Sequence, residues 1–180
     1  MRFRFIYTFI ICFSFLSCKK EEPQTCTSTS QLKNGAMVLN EGLFQQNNSH
    51  MSWVDFSAGT VNNNFFFETN DRPLGDTGND IQEYQGKIYV VMNVSSTIEV
   101  LDATSGKLIK QIPMVEAGVA KQPRYISFDQ SYGFISCYDG YVDVLNLESL
   151  TLVKRIKVGE NPEQLKVSKG KLYVANSGGL

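Results

Sequence analysis

Residues 79–158 state one unit of sheet twice. The segment IQEYQGKIYVVMNVSSTIEVLDATSGKLIKQIPM, 81–114, is restated as PRYISFDQSYGFISCYDGYVDVLNLESLTLVKRIKV, 123–158. A third statement, PEQLKVSKGKLYVANSGG, begins at Pro162. Phe134 stands 46 positions after Ile88, and Val144 stands 44 after Val100. Units of about 40–45 residues, each of about four short strands, are the sequence form of a β-propeller blade. The fold class expected is therefore all-β, a propeller of four-stranded blades.

Blade by blade, the expected strands are short and separated by turn residues. In the second block they fall at 81–84, 88–92, 97–102 and 108–112, after a loop, NDRPLGDTG, at 70–78. Residues 115–122 cross to the third block, with strands at 124–128, 134–137, 141–146 and 152–158. The fourth block holds 164–167 and 172–175. The first block, 36–70, has strands at 37–39, 51–56 and 61–68 and a polar loop, GLFQQNNSH, between the first two. Its inner strand is short and polar, at 30–33. A propeller that begins on its second strand closes by lending a C-terminal strand to the first blade, which removes two free sheet edges. About three and a half blades do not make a ring of 4–8. This predicts an N-terminal fragment of a longer chain, about seven-bladed by analogy with complete relatives.

The N-terminus reads differently. Arg2 and Arg4 precede an apolar run, 5–16, and then Ser17-Cys18. A charged start and a short apolar stretch make a secretory signal, too short for a membrane span of about 20 residues. Ser17-Cys18 resembles the lipobox of bacterial lipoproteins, which implies cleavage after residue 17 and acylation of Cys18. The expected organisation is a signal peptide at 1–17, a polar tether at 18–33 and a partial propeller at 34–180. Removal of the signal takes the formal charge from −1 to −3. Such a balance offers no basic patch for nucleic acid. Of the four cysteines, Cys12 lies in the signal, Cys18 is the lipid site and Cys26 lies in the tether. Cys137, in a strand, reads as a small buried residue rather than part of a disulfide framework or zinc site.

Gly86-Lys87-Ile88-Tyr89-Val90 and Gly170-Lys171-Leu172-Tyr173-Val174 resemble the YncE-like (YVTN-type) propeller repeat; Tyr132-Gly133-Phe134 departs from it. Together with the lipobox, Leu39-Asn40-Glu41-Gly42, Arg72-Pro73-Leu74-Gly75-Asp76 and Pro123-Arg124-Tyr125-Ile126 look like the surface propeller lipoproteins of Bacteroidota. The charged KKEEP after Cys18 resembles their signal for export to the outer face of the outer membrane. That resemblance implies a non-enzymatic, lipid-anchored binding protein at the cell surface. Some members of the group bind cobalamin and pass it to an outer-membrane transporter, so a corrinoid or another nutrient is the implied ligand, with no resident cofactor.

Loops carry function on propellers, because the strands are structural. Arg72 and Asp76, in the 70–78 loop, are ligand-binding candidates; the plain alternative pairs Arg72 with Asp71 or Asp76. Arg124 and Tyr125 enter an inner strand that lines the central channel; the alternative there is packing plus one hydrogen bond between blades. Asn93 and Asn176 recur after second strands and read as turn residues bonding their own backbone. Trp53 reads as core. Catalysis has thin support: His50 is the single histidine, in a polar loop, and Glu21-Glu22 lie in the tether. There is no G-x-S-x-G and no metal triad. Two other readings stand beside the binding module. One is a propeller enzyme, lactonase-like or quinone-dependent, with its catalytic groups beyond residue 180. The other is a protein-docking scaffold.

Overall fold

The computed structural model of the chain describes residues 32–178. The signal peptide, Cys18, Cys26 and most of the tether lie outside the described residues.

Each blade is an antiparallel meander. The first has β1 (Gly35–Asn40), β2 (His50–Asp55) and β3 (Thr60–Asn62). The second has β4 (Gly78–Tyr84), β5 (Lys87–Met92), β6 (Thr97–Asp102) and β7 (Leu108–Pro113), paired in that order. A small hairpin, β8 (Val115–Glu116) and β9 (Val119–Ala120), leads to the third. There β10 (Pro123–Phe128), β11 (Tyr132–Cys137), β12 (Tyr141–Asn146) and β13 (Thr151–Lys157) repeat the order. The pair β14 (Pro162–Ser168) and β15 (Lys171–Asn176) follows. The arrangement is a partial β-propeller with β4, β10 and β14 as neighbouring inner strands.

Stacked blades bury both faces of their middle strands. Successive side chains of a strand point to opposite faces, so such a strand needs an unbroken apolar run. β5 reads Ile-Tyr-Val-Val-Met after Lys87, and it divides between two cores. Ile88, Val90 and Met92 pack with Met51, Phe66 and Leu74 toward the first blade. Tyr89 and Val91 pack with Ile126, Ile135, Cys137 and Leu145 toward the third. Burial of each such side chain is worth about 1.5–3 kcal/mol. Cys137 lies fully inside this second core, and burial, followed by the nearby Asp143 and Asp139 charges, pushes its thiol pKa up.

Local chemistry fixes the registers. The Gly-Lys motif is the exit of a two-residue hairpin turn with left-handed central residues. Gln85 and Gly86 have φ of 50° and 72°, and Lys169 and Gly170 have 49° and 69°. Glycine at the second position takes that conformation freely. At the other lower hairpin, an Asx turn recurs. Asp55, Asp102 and Asn146 each accept backbone N–H groups two and three residues on. The Ser105 hydroxyl first, then the N–H groups of Ser105 and Thr104, hold the Asp102 carboxyl below its ordinary pKa. The recurrence makes β2, β6 and β12 equivalent. The first blade therefore starts at its second strand among the described residues.

Two expectations are corrected and one, the 115–122 crossing, holds with added detail. The strand expected over 61–68 is only β3, followed by α1 (Phe65–Asn70). The Asn62 side chain accepts the Asn64 N–H, turning the chain. Phe65 and Phe66 are then both buried, which adjacent residues of a strand facing one core cannot achieve. The crossing at 115–122 holds the β8–β9 hairpin. Trp53 is half-buried, its ring lying over Gly35 rather than inside either core.

Tyr89 is fully buried, and its Oη is a buried side-chain polar atom without a hydrogen-bond partner among the described residues. Burial, with Tyr84 second, raises its pKa. Leaving a buried hydroxyl unpaired costs about 1–3 kcal/mol. Tyr89→Phe is therefore expected to raise Tm by about 2–4 °C for each kcal/mol recovered, read by calorimetry. A lowered Tm would mean that the phenol has a partner.

Candidate functional site

Connections between second and third strands, and those between blades, gather at one end of the propeller. The inner strands β10 and β14 begin there. Pro123 and Pro162 open them in buried positions, and the next residues form two matched rows.

In the first row, Asn79, Arg124 and Glu163 link neighbouring blades. The Asn79 Nδ2 donates to the Arg124 carbonyl at 2.5 Å. The Arg124 guanidinium forks onto Glu163, Nε to Oε2 at 3.2 Å and Nη2 to Oε1 at 3.4 Å. The Tyr138 hydroxyl donates to the same carboxylate at 2.6 Å. Arg124 lies 4.6 Å from the Tyr138 ring centroid and 5.8 Å from that of Tyr125. Burial first, then the bond to Glu163, pushes the Tyr138 phenol pKa up, with Arg124 opposing. The phenol thus remains a neutral donor. In the second row, the Asp80 carboxylate accepts the Ile126 N–H at 3.0 Å, and Gln164 Nε2 reaches the Tyr125 hydroxyl at 3.5 Å. The end of these inner strands, which would be the channel mouth of a closed ring, carries a half-exposed set of charge, amide and phenol groups.

Arg72 and Asp76 are placed elsewhere. Arg72 does not pair with Asp71 or Asp76. Its Nη2 meets Glu99 Oε2 at 2.5 Å, its Nη1 donates to the Pro73 carbonyl, and its guanidinium lies 5.0 Å from the Phe66 ring centroid. Asp71 is the left-handed C-cap of α1. Asp76 is buried and accepts the backbone N–H of Gln45 at 3.2 Å and of Asn47 at 3.0 Å, and the Thr77 hydroxyl at 2.7 Å. The candidates thus fall into two places: Arg124 and Tyr125 share the mouth, while Arg72 and Asp76 tie down loops. Asn93 is also corrected. It sends Nδ2 to the Pro123 carbonyl at 3.1 Å, joining two blades rather than its own turn.

Sequence reasoning passed over Glu163, Tyr138 and a second repeated feature. Glu99 and Asp143 occupy the same position in β6 and β12, and neither side chain is exposed. Each faces the preceding blade and is met by a cation from the linker that enters its own. Arg72 meets Glu99; Lys121, nearly buried, meets Asp143 at 2.7 Å, with Arg155 on its other oxygen at 2.8 Å. A lone acid inside Ile-Glu-Val-Leu and Val-Asp-Val-Leu was the available signal.

Among the described residues, no group of three or more His, Cys, Asp or Glu could hold a metal ion, and no helix is long and apolar enough to cross a membrane. His50 is exposed, its Nδ1 3.4 Å from the Asn48 carbonyl.

Blades of this order, with a polar channel mouth, define a propeller protein, and one solved structure with a TM-score above 0.5 agrees on the fold. The dihydro-heme d1 dehydrogenase NirN in complex with DHE matches with a TM-score of 0.55 at 11% identity, covering 79% of this chain and 30% of that one. Hydrazine synthase of Kuenenia stuttgartiensis gives 0.46 at 24% identity, with 52% and 26% covered. Apo AztD from Citrobacter koseri gives 0.46 at 12%, with 74% and 35% covered. The chain thus spans about a third or less of the solved chains it matches. No curated protein matches it significantly. The chain belongs to the family described as Domain of unknown function (DUF5074), whose model matches residues 34–180.

Proposed function

We propose that this propeller is a non-enzymatic binding module, lipid-anchored through Cys18 at the cell surface, that takes its ligand at the channel mouth. The observation carrying the reading is the Arg124–Tyr138–Glu163 set, extended by Tyr125, Asn79 and Gln164. Aromatic faces beside an arginine fork and two amides suit a large, flat ligand with amides at its rim. A corrinoid has that form, and the resemblance to cobalamin-binding propellers points the same way, with an outer-membrane transporter as recipient. The buried carboxylates Glu99, Asp143 and Asp76 are spent on cations or on backbone N–H groups, which favours binding over catalysis.

The test is titration with cyanocobalamin, followed by calorimetry and by the corrin absorption bands. Saturable binding is expected, weakened about tenfold or more by Arg124→Ala, a loss of about 1.4 kcal/mol. The Arg124–Glu163 pair is partly exposed, so the same variant should lose no more than about 1 kcal/mol of stability. Absence of saturable binding rejects the corrinoid reading. Turnover of a lactone or an alcohol would favour the enzyme reading instead.

A further inference from the structure

A second cleft, of about 180 Å³, lies between the 47–50 segment and α1 and shares no lining residue with the channel mouth. Its lining includes Asn47, Asn48, His50, Asn64, Phe67 and Pro73, and none of its nine lining residues is an acid, a lysine or an arginine. Arg72 stands nearby but is committed to Glu99 and to the Pro73 carbonyl. Among the described residues, the cleft therefore has no lysine, arginine or acid free to meet a phosphate, a carboxylate or a cation.

Its polar groups retain hydrogen-bonding capacity. Asn64 makes no side-chain cap bond to α1 and spends its backbone N–H on Asn62. Asn47 gives Asp76 its backbone N–H rather than its amide. Asn48 uses its Oδ1 on the Leu43 N–H at 2.7 Å, which leaves its NH2. His50 meets Asn48 through Nδ1, which leaves Nε2. Phe67 is 46% exposed at the rim. A side-chain amide donates and accepts in one plane, as a pair of neighbouring hydroxyls does. The electron-rich face of a phenyl ring accepts the C–H side of a saturated ring. The volume is below the roughly 300–1,000 Å³ of sites for drug-sized ligands. A corrinoid does not fit; one six-membered ring with its substituents does.

We infer that this cleft is a binding site for a neutral hexopyranose, a single sugar ring or the end of a glycan, separate from the channel mouth. Asn47, Asn48 and Asn64 hold the hydroxyls, His50 supplies a further polar contact, and Phe67 covers the apolar side of the ring. Affinity for a single ring is millimolar, as a ligand of about a dozen heavy atoms on such a site allows.

The experiment is a 1H–15N chemical-shift titration of the protein with the methyl glycosides of glucose, galactose and mannose and with N-acetylglucosamine. Saturable shifts in 47–50 and 64–67 are expected with at least one of the four. Asn64→Ala and Phe67→Ala should each weaken that response by about tenfold or more. Both side chains are exposed and Asn64 makes no cap bond, so both variants should fold, which their spectra report directly. Absence of a saturable response to all four sugars overturns the inference. So does a response that both variants retain. The titration contains no cobalamin, so its outcome is separate from that of the channel-mouth reading.

Discussion

Replacement of Arg72 by methionine is expected to cost about 3–5 kcal/mol of folding stability, a large share of the roughly 5–15 kcal/mol that holds a typical domain. The cost arises at Glu99 rather than at Arg72. The arginine side chain is 29% exposed, whereas that of Glu99 is 0% exposed. With the guanidinium gone, the carboxylate keeps only the Thr97 hydroxyl at 2.9 Å and the Gln111 amide at 2.7 Å, both neutral. A buried charge with no counter-charge is what makes a half-broken pair worse than no pair. The double variant Arg72→Met with Glu99→Met should therefore recover most of the loss. It would retain a deficit from the lost stacking on Phe66, worth about 0.5–2 kcal/mol. Urea unfolding monitored by fluorescence gives both numbers, through the midpoint at unchanged slope. A single variant within about 1 kcal/mol of the parent would show that the pair behaves as a surface pair. A double variant as poor as the single would place the cost in packing rather than in charge.

The same comparison explains what could be read in the sequence. Strand positions were legible because β5 and β6 combine apolar runs with turn residues at fixed places, and Gln85-Gly86 supplies one of the turn types that suit a two-residue hairpin. The boundary between β3 and α1 was not legible. Val61 and the Phe65–Phe67 run favour a strand by propensity, and the Asn62 side-chain turn with the Glu68-to-Asn64 and Asp71-to-Phe67 backbone bonds decides for a helical turn. At the mouth, Arg124 was legible as the polar start of an inner strand. Glu163 was not, because the residues at its position in neighbouring blades are Asn79 and Arg124, which share no chemistry. They are complementary rather than alike, and a repeat read by similarity misses residues chosen to bond across blades. Glu99 and Asp143 are the converse case, since like residues at like positions carry a signal that strand patterning alone passes over.

Asp76 illustrates a third limit, partners far away in sequence, and it carries the second large effect. Its carboxylate holds the backbone of a loop about 30 residues earlier. Gln45 and Asn47 donate to it from left-handed conformations, with φ of 60° and 50°. For residues other than glycine, such conformations cost about 1–3 kcal/mol each and persist only where neighbours impose them. A hydrogen bond to a charged acceptor contributes about 1.5–3 kcal/mol, so the carboxylate offsets the strain. Asp76→Ala is expected to lose about 2–4 kcal/mol. Hydrogen exchange at the Gln45 and Asn47 amides should accelerate by about a hundredfold or more, while the β5 amides change only with global stability. Asp76→Asn should fall between, since its one carbonyl oxygen replaces two acceptors. Equal exchange in the parent and in Asp76→Ala would show that the Asn48–Leu43 bond and the Ser49–Gly75 bridge hold the loop without the carboxylate. The loop presents Leu43 and Phe44, 67% and 65% exposed, and places Asn47 and Asn48 on the second cleft. Loosening it should weaken hexose binding without touching a lining residue, and should leave the Arg124–Glu163 contact unchanged.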